Sequence, residues 1–169
     1  MAYPSIIHTE HFYFKNYAVL SEDEHKIIWE MRNTQEIRMY MENQVPFPFE
    51  GHLEFVKSLS YDGEKAYYGV YELGGVLIGN QSLVNIDNKK AESGQYIFPQ
   101  KQGKGLGSLM KYEFIDYIFK QGLLHRVIEK VKVFNERNNR LNLKLGFRLY
   151  DSDLEYNYYE VTPNSLKAP

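Results

Sequence analysis

Apolar positions fall in short blocks whose spacing switches between a period of two and one of about 3.6. Glu10 to Tyr17 (EHFYFKNY) alternates aromatic with polar residues and predicts an opening strand. Ser21, with Glu24 three residues later, is a capping-box signature. A helix should follow to about Arg32, burying Ile27, Ile28 and Met31, and a short helical piece covers Gln35 to Met41. Pro46 and Pro48 break the chain before Glu50 to Leu59 resumes a helix carrying Leu53, Phe55, Val56 and Leu59. Lys65 to Leu73 and Val76 to Val84 read as strands about Gly74-Gly75, a pair that supplies the positive φ angles of a tight hairpin. After a turn at Asp87-Asn88, Ala91 to Phe98 makes another strand, stopped by Pro99. Lys104 to Lys120 has the strongest helical period, with Leu106, Leu109, Met110, Phe114, Tyr117 and Ile118 on one face and Gly122 at its end. Arg126 to Phe134 is a strand. Asn135 caps a helix to Leu145 that Gly146 stops, and Phe147 to Asp151 and Glu155 to Thr162 close the chain as strands.

The stretch from Ala91 to Phe134 is a strand–helix–strand unit, which demands a parallel pair and a crossover helix. Hairpins surround it. The pattern therefore predicts an α/β (mixed α+β) fold, a largely antiparallel sheet with one parallel pair and flanking helices, and a ligand where that pair begins. No repeat, linker or low-complexity tract divides the chain, so residues 1–169 are expected to form one domain.

Composition narrows the function. The chain has no cysteine, which excludes disulfides, thiolate zinc sites and cysteine nucleophiles and fits a reducing cytoplasm. The five histidines are scattered without ligand spacing, so no metal is expected. Net charge is −2 with no basic stripe, which argues against a nucleic-acid partner. Met1 to Glu10 has no cationic start before an apolar run, and no segment approaches the roughly 18 apolar residues of a membrane span. A cytoplasmic protein with no membrane partner is expected.

Gln102-Gly103-Lys104-Gly105-Leu106-Gly107-Ser108 lies between a strand and the strongest helix. Glycines let backbone approach an anion, and the free N–H groups and dipole of a helix start favour a phosphate there. Lys104 adds a charge at the rim. The loop is not a P-loop, because Gly-Leu-Gly-Ser follows the lysine. Nor is it a dinucleotide-binding turn, which belongs near the first strand.

The QGKGLG run resembles the Gln/Arg-x-x-Gly-x-Gly/Ala loop of GNAT acetyltransferases, where backbone amides hold the pyrophosphate of coenzyme A. Ala91 to Tyr96 (AESGQY) resembles the strand before it in the ribosomal-protein acetyltransferase branch. Asn135 through Leu143-Lys144-Leu145-Gly146-Phe147 resembles the family's Asn-rich helix ending in Lys-Leu-Gly-Phe. The resemblance implies the GNAT fold, acetyl-CoA as cosubstrate and N-acetylation of a primary amine. It implies that backbone of Tyr96, Ile97 and Phe98 pairs with the pantetheine arm, that amides of Gln102, Gly103, Lys104, Gly105, Leu106, Gly107 and Ser108 hold the pyrophosphate, and that Asn135 reaches the arm as well as capping its helix. Where many members carry a proton-donating Tyr, this chain has Asn142, which can hydrogen-bond the thioester or a water. Tyr96, or one of Tyr150, Tyr156, Tyr158 and Tyr159, is then the candidate acid.

A lysine-like amine has a pKa near ~10.4 and calls for a base. Glu92 is the candidate, on the strand leading to the cofactor and sharing a face with Tyr96 and Phe98; it can equally pair with a neighbouring cation. Met31-Arg32-Asn33 and His52-Leu53-Glu54-Phe55-Val56 resemble segments of nucleotide-sugar N-acetyltransferases of the pseudaminic-acid pathway type, with Met31 in place of a Trp. That resemblance implies Arg32 and His52 on the substrate side and the 4-amino group of a nucleotide-linked amino-deoxy sugar as acceptor, within surface-glycan biosynthesis. Such an amine is acidified by its ring, so a weak base suffices. A protein N-terminus, a polyamine met by Glu22-Asp23-Glu24, or a non-catalytic acyl-CoA-binding role are the alternatives. The tyrosine-rich strand Glu155 to Val161 can pair across a homodimer or pack as an edge.

Overall fold

The computed structural model describes residues 3–169. Its strands are β1 (Ile6–His8), β2 (Phe12–Asn16), β3 (Ala66–Glu72), β4 (Leu77–Asp87), β5 (Lys90–Ile97), β6 (Arg126–Lys132), β7 (Arg148–Ser152) and β8 (Tyr156–Val161). The helices are α1 (Glu22–Arg32), α2 (Gln35–Arg38), α3 (Phe49–Ser58), α4 (Leu106–Lys120) and α5 (Glu136–Lys144). All eight strands form one sheet in the order β1-β2-β3-β4-β5-β6-β8-β7. Every neighbouring pair is antiparallel except β5 and β6, so the sheet is mixed as expected.

The parallel pair is short. Lys90, Ala91 and Glu92 face Arg126, Val127 and Ile128, and there the pairing stops. Beyond that point β5 stays with β4, up to Ile97 opposite Gly79, while β6 stays with β8, up to Lys132 opposite Tyr156. Each strand follows its outer neighbour, and sheet twist draws them apart. Gly79 is required at this edge: a Cβ there would run into the Tyr96 carbonyl oxygen.

Alternation along β5 and β6 sorts side chains to two layers. Ala91, Ile97, Val127 and Val131 pack with Met110, Phe114 and Ile118 of α4. Tyr96 and Phe98 join Tyr17, Ile28, Met31 and Phe55 on the opposite face. The Ser21–Glu24 capping box closes reciprocally, and the Glu24 carboxylate also takes Lys15 and the Tyr71 hydroxyl, at 2.8 and 2.7 Å. α1 is thereby pinned to β2 and β3.

Several expected boundaries move. The opening strand stops at Asn16, which caps a 3₁₀ turn over Tyr17–Val19, and β1 precedes it; three residues with one inward side chain, Ile7, are too few for alternation to reveal. On α1 Ile27 is 41% exposed while His25 is buried. The inward stripe is His25, Ile28 and Arg32 with Met31 packed beside them as expected, because Ile28 docks against Gly69 of β3, its Cδ1 3.5 Å from where a Cβ would stand. α4 begins at Leu106 rather than Lys104, since Gly103 and Gly105 take left-handed φ of 77° and 75°. Gly146 ends α5 for two reasons: its φ is 87°, and a Cβ would strike the Ser165 carbonyl oxygen of the returning tail.

Candidate active site

The parted ends of β5 and β6 open a cleft of about 550 Å³. One mouth is the loop before α4, which contributes Gln102, Gly103 and Gly105 to Ser108. The other mouth is closed by Glu36, Tyr40 and Glu42, from α2 and the segment after it. Glu92 and Tyr96 of β5, Glu129 and Lys130 of β6, and Asn135 and Arg137 at the start of α5 line the length between.

At the loop mouth the backbone is shaped by residue choice. Gly105 is the N-cap of α4 and offers no side chain to its orphan N–H groups, so the amides that follow are free for an anion. Gln102 folds back to donate Nε2–H to the Ile97 carbonyl at 2.8 Å, which ties the loop to the end of β5. The Arg137 guanidinium lies beside Gly103, 3.9 Å from a Cβ position there. Asn135 caps α5 by accepting the Asn138 N–H at 3.3 Å.

Beneath the cleft, on the α4–α5 side, lies a buried charged cluster. Lys111 is 0% and Glu129 4% exposed. The Lys111 ammonium donates to Glu129 Oε2 at 2.7 Å, Asn142 Oδ1 at 2.7 Å and Asn138 Oδ1 at 3.0 Å. Asn142 Nδ2–H donates to Glu129 Oε2 at 2.9 Å. Burial pulls the lysine down from its ordinary range and Glu129 opposes that pull.

The opposite face of the sheet carries Glu92 and Tyr96. Burial raises the Glu92 carboxyl, while the Asn85 amide at 3.3 Å and the Lys130 charge hold it down. Burial likewise raises Tyr96, against the nearby Arg32 charge. Behind Tyr96, Tyr17 donates its hydroxyl to Asn80 Oδ1 at 2.5 Å. His25 Nε2–H donates to the Tyr17 carbonyl at 2.9 Å, and His25 Nδ1 meets His52 Nε2 at 3.1 Å. A carbonyl only accepts, so His25 carries its proton on Nε2 and His52 must donate from its own Nε2. His52 Nδ1 is left as the basic nitrogen, and burial beside His25 drops it to about 4.

A model of the acetyltransferase (GNAT) domain matches residues 18–148. The chain belongs to the GNAT acetyltransferase family. It is 31% identical over 158 residues to the acetyltransferase PseH of Campylobacter jejuni strain 81-176, covering 91% of this chain and 96% of that one. The PseH of strain NCTC 11168 is 32% identical over 156 residues with the same coverage. The crystal structure of C. jejuni PseH with acetyl coenzyme A matches with a TM-score of 0.74 and 28% identity, over 89% of this chain and 98% of that chain. The Vibrio cholerae spermidine N-acetyltransferase with CoA and spermine has a TM-score of 0.80 at 20% identity, over 91% and 96%, a likeness of fold.

Within the GNAT cleft the structure gathers Glu92, Tyr96, Ile97, Asn135 and every loop residue from Gln102 to Ser108 except Lys104, which is exposed at the rim. Other expected residues stand elsewhere. Phe98 is buried, and its N–H is spent on the Ile78 carbonyl of β4 at 2.8 Å, because alternate residues of β5 turn their backbone to alternate neighbours. Asn142 sits under the cleft wall, both ends of its amide committed to Lys111 and Glu129. Arg32 and His52 are not on the cleft wall. Arg32 lies behind Tyr96, donating to the Asn43 carbonyl at 3.1 Å, and His52 is held by His25. Of the alternative tyrosines Tyr156 lines the cleft; Tyr159 and Tyr158 are bonded to Asn139 and Asp153, at 2.7 and 2.8 Å. Sequence reasoning passed over Glu36, Tyr40, Glu42, Glu129 and Arg137. The i+2 position of Arg137 after the helix cap was a readable signal for the last; the others depend on tertiary placement.

Proposed function

We propose that this GNAT enzyme transfers the acetyl group of acetyl-CoA to the 4-amino group of a nucleotide-linked amino-deoxy sugar. The coarser activity, acetyl-CoA-dependent N-acetylation, follows from family membership and from a cleft whose loop mouth is built for a pyrophosphate. The sugar acceptor rests on one observation: the likeness to C. jejuni PseH, 31% identical, covers 91% of the chain, too much to leave out either the α1–α3 segment or the cofactor loop.

In this reading the amine enters on the Glu92–Tyr96 face and attacks the thioester carbonyl at the point where β5 and β6 part. Glu92 takes the proton released as the C–N bond forms, directly or through a water, and its burial suits it to that task. The C–S bond then breaks toward the α5 side, and the thiolate takes a proton from water to leave as CoA, the water's proton being replaced by the one that Glu92 holds. Tyr96 holds its hydroxyl proton against the amine's entry path. Arg32 and His52 act from behind this wall, shaping the acceptor pocket through Tyr96 and Tyr17.

A polyamine is the second reading. Glu36, Glu42 and Glu92 at the acceptor mouth favour a cationic amine. A thiol-release assay with acetyl-CoA against UDP- and dTDP-linked 4-amino-4,6-dideoxy sugars, spermidine and free-amine peptides separates them. Turnover is expected on an amino-sugar nucleotide. Turnover confined to spermidine or peptide would overturn the sugar reading.

A further inference from the structure

The α4–α5 side of the cleft carries two buried acceptor atoms that no described residue satisfies. Glu129 spends Oε2 on Lys111 and Asn142, yet its Oε1 is buried without a hydrogen bond. Across the gap on β5, Gln95 donates Nε2–H to the Gly107 carbonyl at 3.4 Å and leaves Oε1 in the same state. Both residues line the cleft. A buried carboxylate oxygen without a donor is costly, so when the cleft is filled the donor comes from an N–H or O–H of its occupant or from a water that the occupant leaves in place.

Two occupants could do so, and the sheet separates them. The attacking amine is served by Glu92, whose side chain lies on the α1–α3 face with Tyr96. Glu129 points the other way, to α4 and α5, as its bonds to Lys111 and Asn142 require. On that face the donors are the two secondary amides of the pantetheine arm. Lys111 cannot itself serve the occupant, since its three protons are committed to Glu129, Asn138 and Asn142. What it does is hold the carboxylate charged with one oxygen free. By engaging Asn138 Oδ1 it also leaves that amide's N–H₂ for a carbonyl.

We propose that Glu129 Oε1 accepts an amide N–H of the pantetheine arm, with Gln95 Oε1 as a second acceptor across the gap, and that Lys111 is the positioning residue that presents Glu129. The assignment rests on the cleft being the acetyl-CoA site. It gives the buried lysine a role beyond packing, and it accounts for Asn142 where the family often has Tyr: the position serves the cluster.

Titration calorimetry with CoA, and with adenosine 3′,5′-bisphosphate as a probe that lacks the arm, tests it. Glu129→Gln cannot satisfy both sides, because its amide offers one acceptor where Lys111, Asn142 and the arm all donate. The variant should bind CoA at least about tenfold more weakly, the loss of a charge-assisted bond, and bind the bisphosphate as wild type does. Lys111→Met strands the carboxylate and can fail to fold, so Lys111→Met/Glu129→Gln, with no buried charge, is the companion; it too should lose CoA affinity selectively. Equal affinity of wild type and both variants for CoA overturns the proposal while leaving the cleft reading intact. So does a loss that is the same for both probes, or a fall in kcat with CoA binding unchanged. Wild-type protein that fails to bind CoA overturns the cleft reading itself.

Discussion

Glu92 stands among charges of both signs. Burial is the largest influence on its carboxyl and raises it; the Asn85 amide and the Lys130 cation act in the opposite sense. A base works only when deprotonated, so kcat/KM should fall on the acid side with a midpoint above the ordinary ~4.3 of a glutamate. Removing the cation in Lys130→Met should move that midpoint further up, since one of the influences favouring the charged form is gone. Glu92→Gln should lower kcat by about 10²–10⁴ and leave the dissociation constant for acetyl-CoA unchanged. A variant that keeps its kcat would hand the proton to another group. Glu92 was readable from the sequence because strand alternation places it with Tyr96. Glu129 was legible only in part: alternation puts it on the inward face with Val127 and Val131, but its partners Lys111 and Asn142 come from α4 and α5, which strand spacing does not reveal.

Between elements, α1 and α3 meet through His25 and His52, and this contact makes the N-terminal half pH-sensitive. Both imidazoles are pushed below the ordinary value by burial, His52 to about 4. The unfolded chain, with histidine near ~6.5, therefore binds more protons across the interval between those values. The stability contributed by these two imidazoles is fully present above about pH 6.5 and is lost as pH falls toward about 4. His52→Gln can still donate to His25 Nδ1 but cannot titrate. Its melting temperature should change less than that of the wild type between about pH 7 and about pH 4.5. An identical slope would place the sensitivity elsewhere. These two histidines also mark where element-level reading ends. The loop from Gln102 to Ser108 and the capping box at Ser21 are local: glycines and a hydroxyl dictate backbone at their own positions, so they could be read directly. The buried faces of α1 and α4 depend on partners far along the chain. His25 replaces Ile27 as an inward residue because of Gly69, and Lys111 and Glu113 are buried within α4 because β6, α5 and the β1–β2 turn supply their partners.

At the scale of the molecule, a net charge of −2 hides a polarised cleft. Its loop mouth carries Arg137 and Lys101, with Lys104 at the rim, and the amino end of α4 adds its dipole. Lys101 is already paired with Glu72 at 2.8 Å, so among the described residues Arg137 on the cleft wall and Lys104 at the rim are the cations there without an ion pair. The other mouth carries Glu36, Glu42 and Glu92 against two lysines, Lys130, committed to Glu42 at 2.9 Å, and Lys132, which reaches the Met39 carbonyl, so it is the less positive end. Field lines in such a cleft draw a polyanionic carrier to one end despite the overall negative charge. Raising ionic strength from about 0.01 M to about 0.15 M shortens the screening length from about 30 to about 8 Å, less than the length of the cofactor. KM for acetyl-CoA should therefore rise several-fold over that range. Arg137→Gln should begin with the higher KM and show a flatter dependence, because the charge being screened is the one removed. A wild-type KM indifferent to salt would mean that the loop amides alone, through short hydrogen bonds that salt barely touches, hold the pyrophosphate.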